Sequence, residues 1–381
     1  MKSISRLDDR LMARWWLSID RPSIAALAAI LTIGCLLIIA ASPPAASRLG
    51  IANDFHFTLR QFMFLGPALM LAFFVSLLSP LQARRAGVFI FLGGICLMLF
   101  ILLSGAAING AKRWIDLGAF LLQPSEFAKP GFVIAAAWML AEGARDPRFP
   151  GGALAMALYG CFALLLMLQP DFGQWALVTA VWALMFFIAG WSWFWIVVLG
   201  AAGAAAMAGA YFLSPHVASR IDGFLSPTAG ANYQVDRALE TLHHGGFAGR
   251  LVNGDVASVK NTLPDAHTDF IFAVAGEEFG FILCAIIIAL FAFFVARSLL
   301  IAASMKSVFT QCAVSGLAAM IGFQAAINIG VSLRALPAKG MTLPMISYGG
   351  SSLLATALTI GLIFALSRRQ TCVSRRKEIM P

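Results

Sequence analysis

Ten runs of apolar residues, at about 24–42, 59–79, 86–105, 126–142, 151–168, 172–189, 192–213, 270–296, 308–332 and 346–366, leave this chain few ways to fold. A helix needs about 20 apolar residues to cross the hydrocarbon core of a bilayer. Inside hydrocarbon a helix also satisfies its own backbone N–H and C=O groups, which an open segment cannot do. The chain is 60% hydrophobic and only 12% charged, about half the charge of a soluble domain. The expected fold is therefore an all-α polytopic membrane protein with ten transmembrane helices.

Orientation follows from the basic residues. With the N-terminus inside, 16 of the 27 Lys and Arg residues fall on the inner side, and the bias is 16 to 7 once the four in the long outer segment are set aside. Short loops carry the positive-inside signal and long ones do not, so both termini are expected in the cytoplasm. The expected organisation is a cytoplasmic tail at 1–23, the ten-helix domain at 24–366 with a large periplasmic loop at 214–269 between the seventh and eighth helices, and a basic cytoplasmic tail at 367–381. The mixed charge of residues 1–23 does not read as a cleavable signal peptide, and Trp15 and Trp16 are candidate interface anchors. The net charge of +9 reflects topology and attraction to anionic lipid; no nucleic-acid motif accompanies it. The six cysteines lack metal-ligand spacing and do not set a disulfide framework. Small residues at 200, 204 and 208 and at 201, 205 and 209 are expected to let helices pack closely.

In this topology the polar segments collect on the outer face, and the inner loops are short. Four segments stand out: Gly110-Ala-Lys-Arg-Trp-Ile-Asp-Leu-Gly118 with Gln123-Pro-Ser-Glu126 and Lys129; Gln169-Pro-Asp-Phe-Gly173; Tyr233-Gln234 with Gly245-Gly-Phe-Ala-Gly249, leading to Leu263-Pro-Asp-Ala-His-Thr-Asp269; and Leu336-Pro-Ala-Lys-Gly-Met-Thr-Leu-Pro-Met-Ile-Ser-Tyr-Gly-Gly-Ser-Ser352. Asp269 opens the eighth run, and two readings stand level there: a helix cap, which Asp favours, or a carboxylate kept for chemistry. Glu126 and Lys129, three apart, share a helix face and either neutralise one another or meet a ligand. Glu277 and Glu278, roughly 12–14 Å deeper along a helix rising ~1.5 Å per residue, are expected to be structural and bonded to polar groups on neighbouring helices.

Gln123-Pro-Ser-Glu126, the His267-Thr-Asp-Phe-Ile-Phe-Ala-Val274 motif with Gly276-Glu-Glu278, and Pro337 to Ser352 together closely resemble the SEDS family (shape, elongation, division, sporulation), the bacterial RodA and FtsW proteins. The resemblance runs from the first helix through the tenth. The wording around Leu263 to Asp269, with Lys260 before it, is closer to the FtsW, cell-division branch. The resemblance implies a peptidoglycan glycosyltransferase of the bacterial inner membrane, at the division septum, polymerising lipid II at the periplasmic face with Asp269 as catalytic residue. It also implies a class B penicillin-binding protein transpeptidase and other division proteins as partners. The chain departs from the pattern after Gly249, where a second glycine-rich repeat is missing, and at Arg334, where a small residue is common and a further substrate contact is possible.

The implied reaction joins a sugar hydroxyl to the C1 of a donor bearing polyprenyl pyrophosphate. A hydroxyl is a poor nucleophile, so a positioned base is needed, while pyrophosphate leaves without a proton. Asp269 suits the base, and Lys112, Arg113 and Lys339 suit the leaving group. Gln123, Ser125, Glu126, Lys129, Gln234, His267, Thr268, Ser347 and Ser351 complete the candidate substrate-binding set, with His267 read as orienting the loop. No Asp-x-Asp or His-rich set supports a metal cage, so no metal ligands are expected; a divalent cation, Mg or Mn, on the pyrophosphate is compatible with this. The serines near 350 form no nucleophile elbow. The alternatives are a lipid II flippase, against which the one-sided polar face argues, and a non-catalytic division scaffold.

Overall fold

The computed structural model describes residues 11–104, 113–118, 121–191, 193–213, 218, 222, 233–250, 258–337 and 340–368. The helices are α1 (Leu11–Ser18), α2 (Arg21–Arg48), α3 (His56–Ser76), α4 (Pro80–Ser104), α5 (Pro124–Arg145), α6 (Gly151–Leu168), α7 (Phe172–Ile188), α8 (Trp193–Leu213), α9 (Tyr233–His244), α10 (Ile271–Ala303), α11 (Val308–Ser332) and α12 (Gly350–Ser367). Each expected apolar run is overlapped by one of them. Among the described residues seven are long and apolar enough to cross a membrane, namely α2, α3, α4, α6, α10, α11 and α12, and α7 is just shorter at 17 residues. Local chemistry sets the starts. Asp20 accepts from the Ser23 N–H at 3.2 Å ahead of Pro22 at the start of α2, a cap followed by a proline whose missing N–H is not needed there. Asp171 caps α7 the same way through the Gln174 N–H.

The bundle is built around α5, α11 and α12. Helix α11 touches α10, α5, α7 and α12, while α3 and α4 lie at the rim with large apolar side chains such as Met63, Phe74, Phe89 and Leu103 facing out. Outward apolar surface on helices this hydrophobic is what a lipid environment covers. At one end of the bundle lie the strands β1 (Ile115–Asp116) and β2 (Leu121–Leu122), which pair antiparallel, together with the segments around 169–171, 264–270 and 333–349. We call this the loop end.

Within the long segment expected at 214–269, the described residues include α9 and a short 3-10 turn at Val259–Thr262. On α8, among the described residues, a Cβ added at Gly200 or Gly209 would meet no atom within 4 Å. Helix α10 is not one straight rod. It breaks at Gly280, with φ 72° and ψ −171°, a conformation that glycine alone adopts freely. Residues 271–278 before the break are buried without interruption.

Candidate active site

Asp269 is held at the head of α10 by a compact turn. Asp265 takes a left-handed φ of 49°, which Asp tolerates better than most residues. Its carbonyl accepts from the Thr268 N–H and the Asp269 N–H, both at 3.1 Å, and from Thr268 Oγ1 at 3.2 Å. The turn is then clamped from two sides. Ser347 Oγ donates to the Thr268 carbonyl and accepts from the Leu343 N–H at 2.8 Å, and the Tyr348 N–H donates to the His267 carbonyl at 2.9 Å. His267 lies against Phe57, ring centres 4.1 Å apart, and Tyr348, at 5.5 Å. Burial pushes its pKa down to about 4, so the ring is neutral at pH 7 and works as an aromatic brace.

The Asp269 side chain is half-buried. Asn328 Nδ2 donates to its main-chain carbonyl at 2.7 Å and to that of Met341 at 2.6 Å. The carboxyl itself faces Gly340, where a Cβ would lie 3.4 Å from Oδ2, so the glycine backbone forms a wall beside it. Desolvation, with the like charge of Asp265 second, raises its pKa to about 7. Among the described residues, none donates a hydrogen bond to this carboxyl. A carboxylate in that state is free to take a proton at neutral pH.

A second polar cluster lies between α5, α7 and α11. Lys129, 2% exposed, donates to Glu126 Oε1 (3.0 Å), Gln174 Oε1 (2.8 Å) and Gln324 Oε1 (3.2 Å). Gln174 Nε2 returns a bond to Glu126 at 2.6 Å. An ammonium has three donors, and here all three are engaged within the protein. Gln324 Nε2 reaches the Thr342 carbonyl at 3.0 Å, and Thr342 bonds Ser352 at 2.6 Å. The cluster therefore holds the same 341–352 segment that braces Asp269. Nearer the surface, Arg113 donates to the Gln169 carbonyl at 2.7 Å and to that of Pro170, and lies 3.8 Å from Asp171, which Gln123 Nε2 also meets at 3.3 Å. Burial raises the Asp171 pKa, and Arg113 opposes that rise.

Glu277 and Glu278 are bonded as structural groups, Glu277 to His244 at the end of α9 (3.4 Å) and both acids to the segment that follows it. Glu277 accepts from the Val259 N–H (2.7 Å) and the Lys260 N–H (2.9 Å), and Glu278 pairs with Lys260 and with Arg250 (3.1 Å). Lys260 Nζ also reaches the Ala40 carbonyl of α2 at 3.0 Å. Both acids thus pin Arg250 and residues 258–260 to α10. Arg334, expected to be a possible substrate contact, pairs with Asp236 of α9 at 3.1 Å.

The structure thus gathers Asp269, Thr268, His267 and Ser347 at one place, and Arg113, Gln123, Glu126 and Lys129 in an adjoining network. Ser351 joins the second group, donating to the Leu121 carbonyl at 2.6 Å and accepting from the Gln123 N–H at 3.3 Å. Ser125 is buried in the first turn of α5, and Gln234 is exposed at the start of α9. Lys112 and Lys339 lie outside the described residues. Sequence reasoning missed Asn328, Gln174, Gln324 and Gln61, the last bonded to the Ser347 carbonyl at 3.3 Å. Their signal was available, since amides inside apolar runs are expensive unless they have partners.

Residues 21–372 match the family described as "Cell cycle protein", that of FtsW, RodA and SpoVE. A protein of Caulobacter vibrioides named "Probable peptidoglycan glycosyltransferase FtsW" is 43% identical over 97% of this chain and 94% of its own length. A namesake from Coxiella burnetii is 34% identical over 89% of this chain and 93% of its own. A chain solved in "Structural coordination of polymerization and crosslinking by a peptidoglycan synthase complex" superposes with a TM-score of 0.78 at 30% identity, covering 92% of this chain and 98% of that one. The rod shape determining protein RodA of Thermus thermophilus gives 0.70 at 29%, covering 93% and 99%. The chain shares fold and sequence with these proteins along almost its whole length, and it belongs to the FtsW/RodA/SpoVE family.

Proposed function

We propose that this protein is a peptidoglycan glycosyltransferase of the cell-division branch, polymerising lipid II at the periplasmic face of the bacterial inner membrane, with Asp269 as general base. The observation that carries the reading is the Asp269 carboxyl: half-buried, free of donors among the described residues, walled by Gly340 and titrating at about 7. It takes the proton of the acceptor sugar hydroxyl as that oxygen attacks C1 of the donor, while the C1–O bond to pyrophosphate breaks and the pyrophosphate departs as an anion. A positioned base contributes about 10²–10⁴-fold. Arg113, Lys112 and Lys339 are the cationic groups assigned to the leaving pyrophosphate. Gln123, Ser125, Glu126, Lys129, Gln234, His267, Thr268, Ser347 and Ser351 shape and line the substrate path, Lys129 and Glu126 from behind it through their internal network. The described residues include no group of three or more His, Cys, Asp or Glu side chains placed to hold a metal, so a divalent cation would arrive with the pyrophosphate as part of the substrate.

In this reading ten helices span the membrane, both tails (1–23 and 367–381) are cytoplasmic, and the segment 214–269 and the loop end are periplasmic. A class B penicillin-binding protein transpeptidase is the partner, which the relative solved in a peptidoglycan synthase complex supports, with other division proteins at the septum. The test is glycan-strand synthesis from lipid II by the purified chain, with and without the partner. Asp269→Asn is expected to fold and to lose at least about 10²-fold in rate. Normal strand synthesis by that variant would remove Asp269 from the chemistry. Headgroup translocation in vesicles without any strands would favour a flippase, and full wall synthesis in cells relying on the variant would favour a scaffold.

A further inference from the structure

Asn328 stands on α11 one turn beyond Gln324, with 1% of its surface exposed. Its Nδ2 group uses both hydrogens, one on the carbonyl of Asp269 (2.7 Å) and one on that of Met341 (2.6 Å). These acceptors belong to separate segments of the chain, one carrying the Asp269 carboxyl and the other carrying Gly340, the wall beside it. The two carbonyls also fix which way the amide faces, because a reversed amide would aim its oxygen at two other oxygens. Gln324, one turn away, grips the next residue, Thr342, at 3.0 Å. Helix α11 therefore offers two neutral amides in succession to the loop that backs the carboxyl.

We infer that Asn328 is a positioning residue: by tying the Asp269 carbonyl to the Met341 carbonyl it sets the distance between the Asp269 carboxyl and Gly340. The inference rests on the reading of Asp269 as the base. The carboxyl has no hydrogen bond of its own among the described residues, so its position is inherited from the backbone on either side. Displacement of a reacting group by about 1 Å is enough to lose about 10²-fold. Asn328 carries no charge, so it holds the carboxyl without lowering its proton affinity as a Lys or Arg in the same place would. Among the described residues the charged group acting on Asp269 is Asp265; His267 turns to Phe57 and Tyr348, and α11 brings Gln324 and Asn328.

The test compares wild type, Asn328→Ala, Asn328→Asp and Asp269→Asn as full-length chains in proteoliposomes containing lipid II. The readouts are kcat, KM, the pH dependence of the rate, and thermal unfolding. Asn328→Ala is expected to lower kcat by about 10–100-fold with KM within about twofold. Asn328→Asp, of the same shape, adds a like charge beside Asp269 and is expected to move the midpoint of the pH–rate curve up by about one unit. Wild-type kcat and midpoint in both Asn328 variants, with Asp269→Asn inactive, would overturn this inference alone. Normal activity of Asp269→Asn would remove the base and the inference together. Loss of folded protein in both Asn328 variants would also overturn it, since Asn328 would then serve the fold rather than the carboxyl.

Discussion

A carboxyl whose pKa stands at about 7 changes the pH behaviour of the protein in two ways with opposite signs. Activity needs the ionised form, so polymerisation is expected to rise about tenfold per pH unit below pH 7 and to level off above it. Stability runs the other way. The folded pKa is raised from 3.8, so the protonated group's contribution is fully present below pH 3.8 and is lost as pH rises through about 7. Asp269→Asn should therefore be more stable than wild type at pH 8 by ~1–2 kcal/mol, the full shift being discounted for the water-accessible face of the group. The difference should vanish near pH 4, as measured by thermal unfolding in detergent. At this scale the sequence made Asp269 conspicuous, because an acid at the mouth of an apolar run needs a reason. The amides within 308–332 (Gln311, Gln324 and Asn328) were visible as costly groups, but nothing in the sequence showed which carbonyls Asn328 would meet. Lys129 and its neighbour Glu126 were visible as a pair, while the other two acceptors, Gln174 and Gln324, came from helices far apart in sequence.

Among the elements, the break in α10 was the least legible. The run 270–296 reads as continuous because its hydrophobicity is continuous, and one glycine in such a run ordinarily sits in a helix. What fixes Gly280 in its left-handed conformation is the distant glycine segment 245–249: the Phe281 N–H donates to the Gly246 carbonyl at 3.0 Å, and a Cβ on Gly280 would lie 2.4 Å from both the Gly249 nitrogen and the Phe247 oxygen. The Gly245-Gly-Phe-Ala-Gly249 motif is thus the plug that satisfies the backbone freed by the break. Gly280→Ala is expected to lower stability by ~3 kcal/mol or more, from backbone strain and the clash together. Gly209→Ala on α8, with open space around it, should stay within about 0.5 kcal/mol. Equal melting temperatures for the two variants would contradict this account. Elements set by local chemistry were read well: α6 and α11 were placed to the residue, because a proline or a polar turn adjoins each end.

For the whole molecule, hydrophobic runs were enough to give a mostly helical chain with several membrane-length helices, since lipid-facing surface must be apolar whatever packs behind it. Orientation rests on charge, and thiol labelling tests it. In a chain freed of its native cysteines, Thr262→Cys is expected to react with a membrane-impermeant maleimide from the periplasmic side, and Arg85→Cys only after permeabilisation; both positions are exposed. The reverse pattern would invert the topology. What composition could not supply is the division of labour along α10. Residues 271–279 are lashed through Glu277 and Glu278 to Val259, Lys260 and Arg250, whereas 281–303 show large side chains such as Phe281, Ile286 and Phe293 to the outside. The glycine joint divides α10 into a short stub pinned next to Asp269 and a long shaft with an apolar outer side, so the direction of the shaft is set at Gly280 rather than by the axis that leaves Asp269.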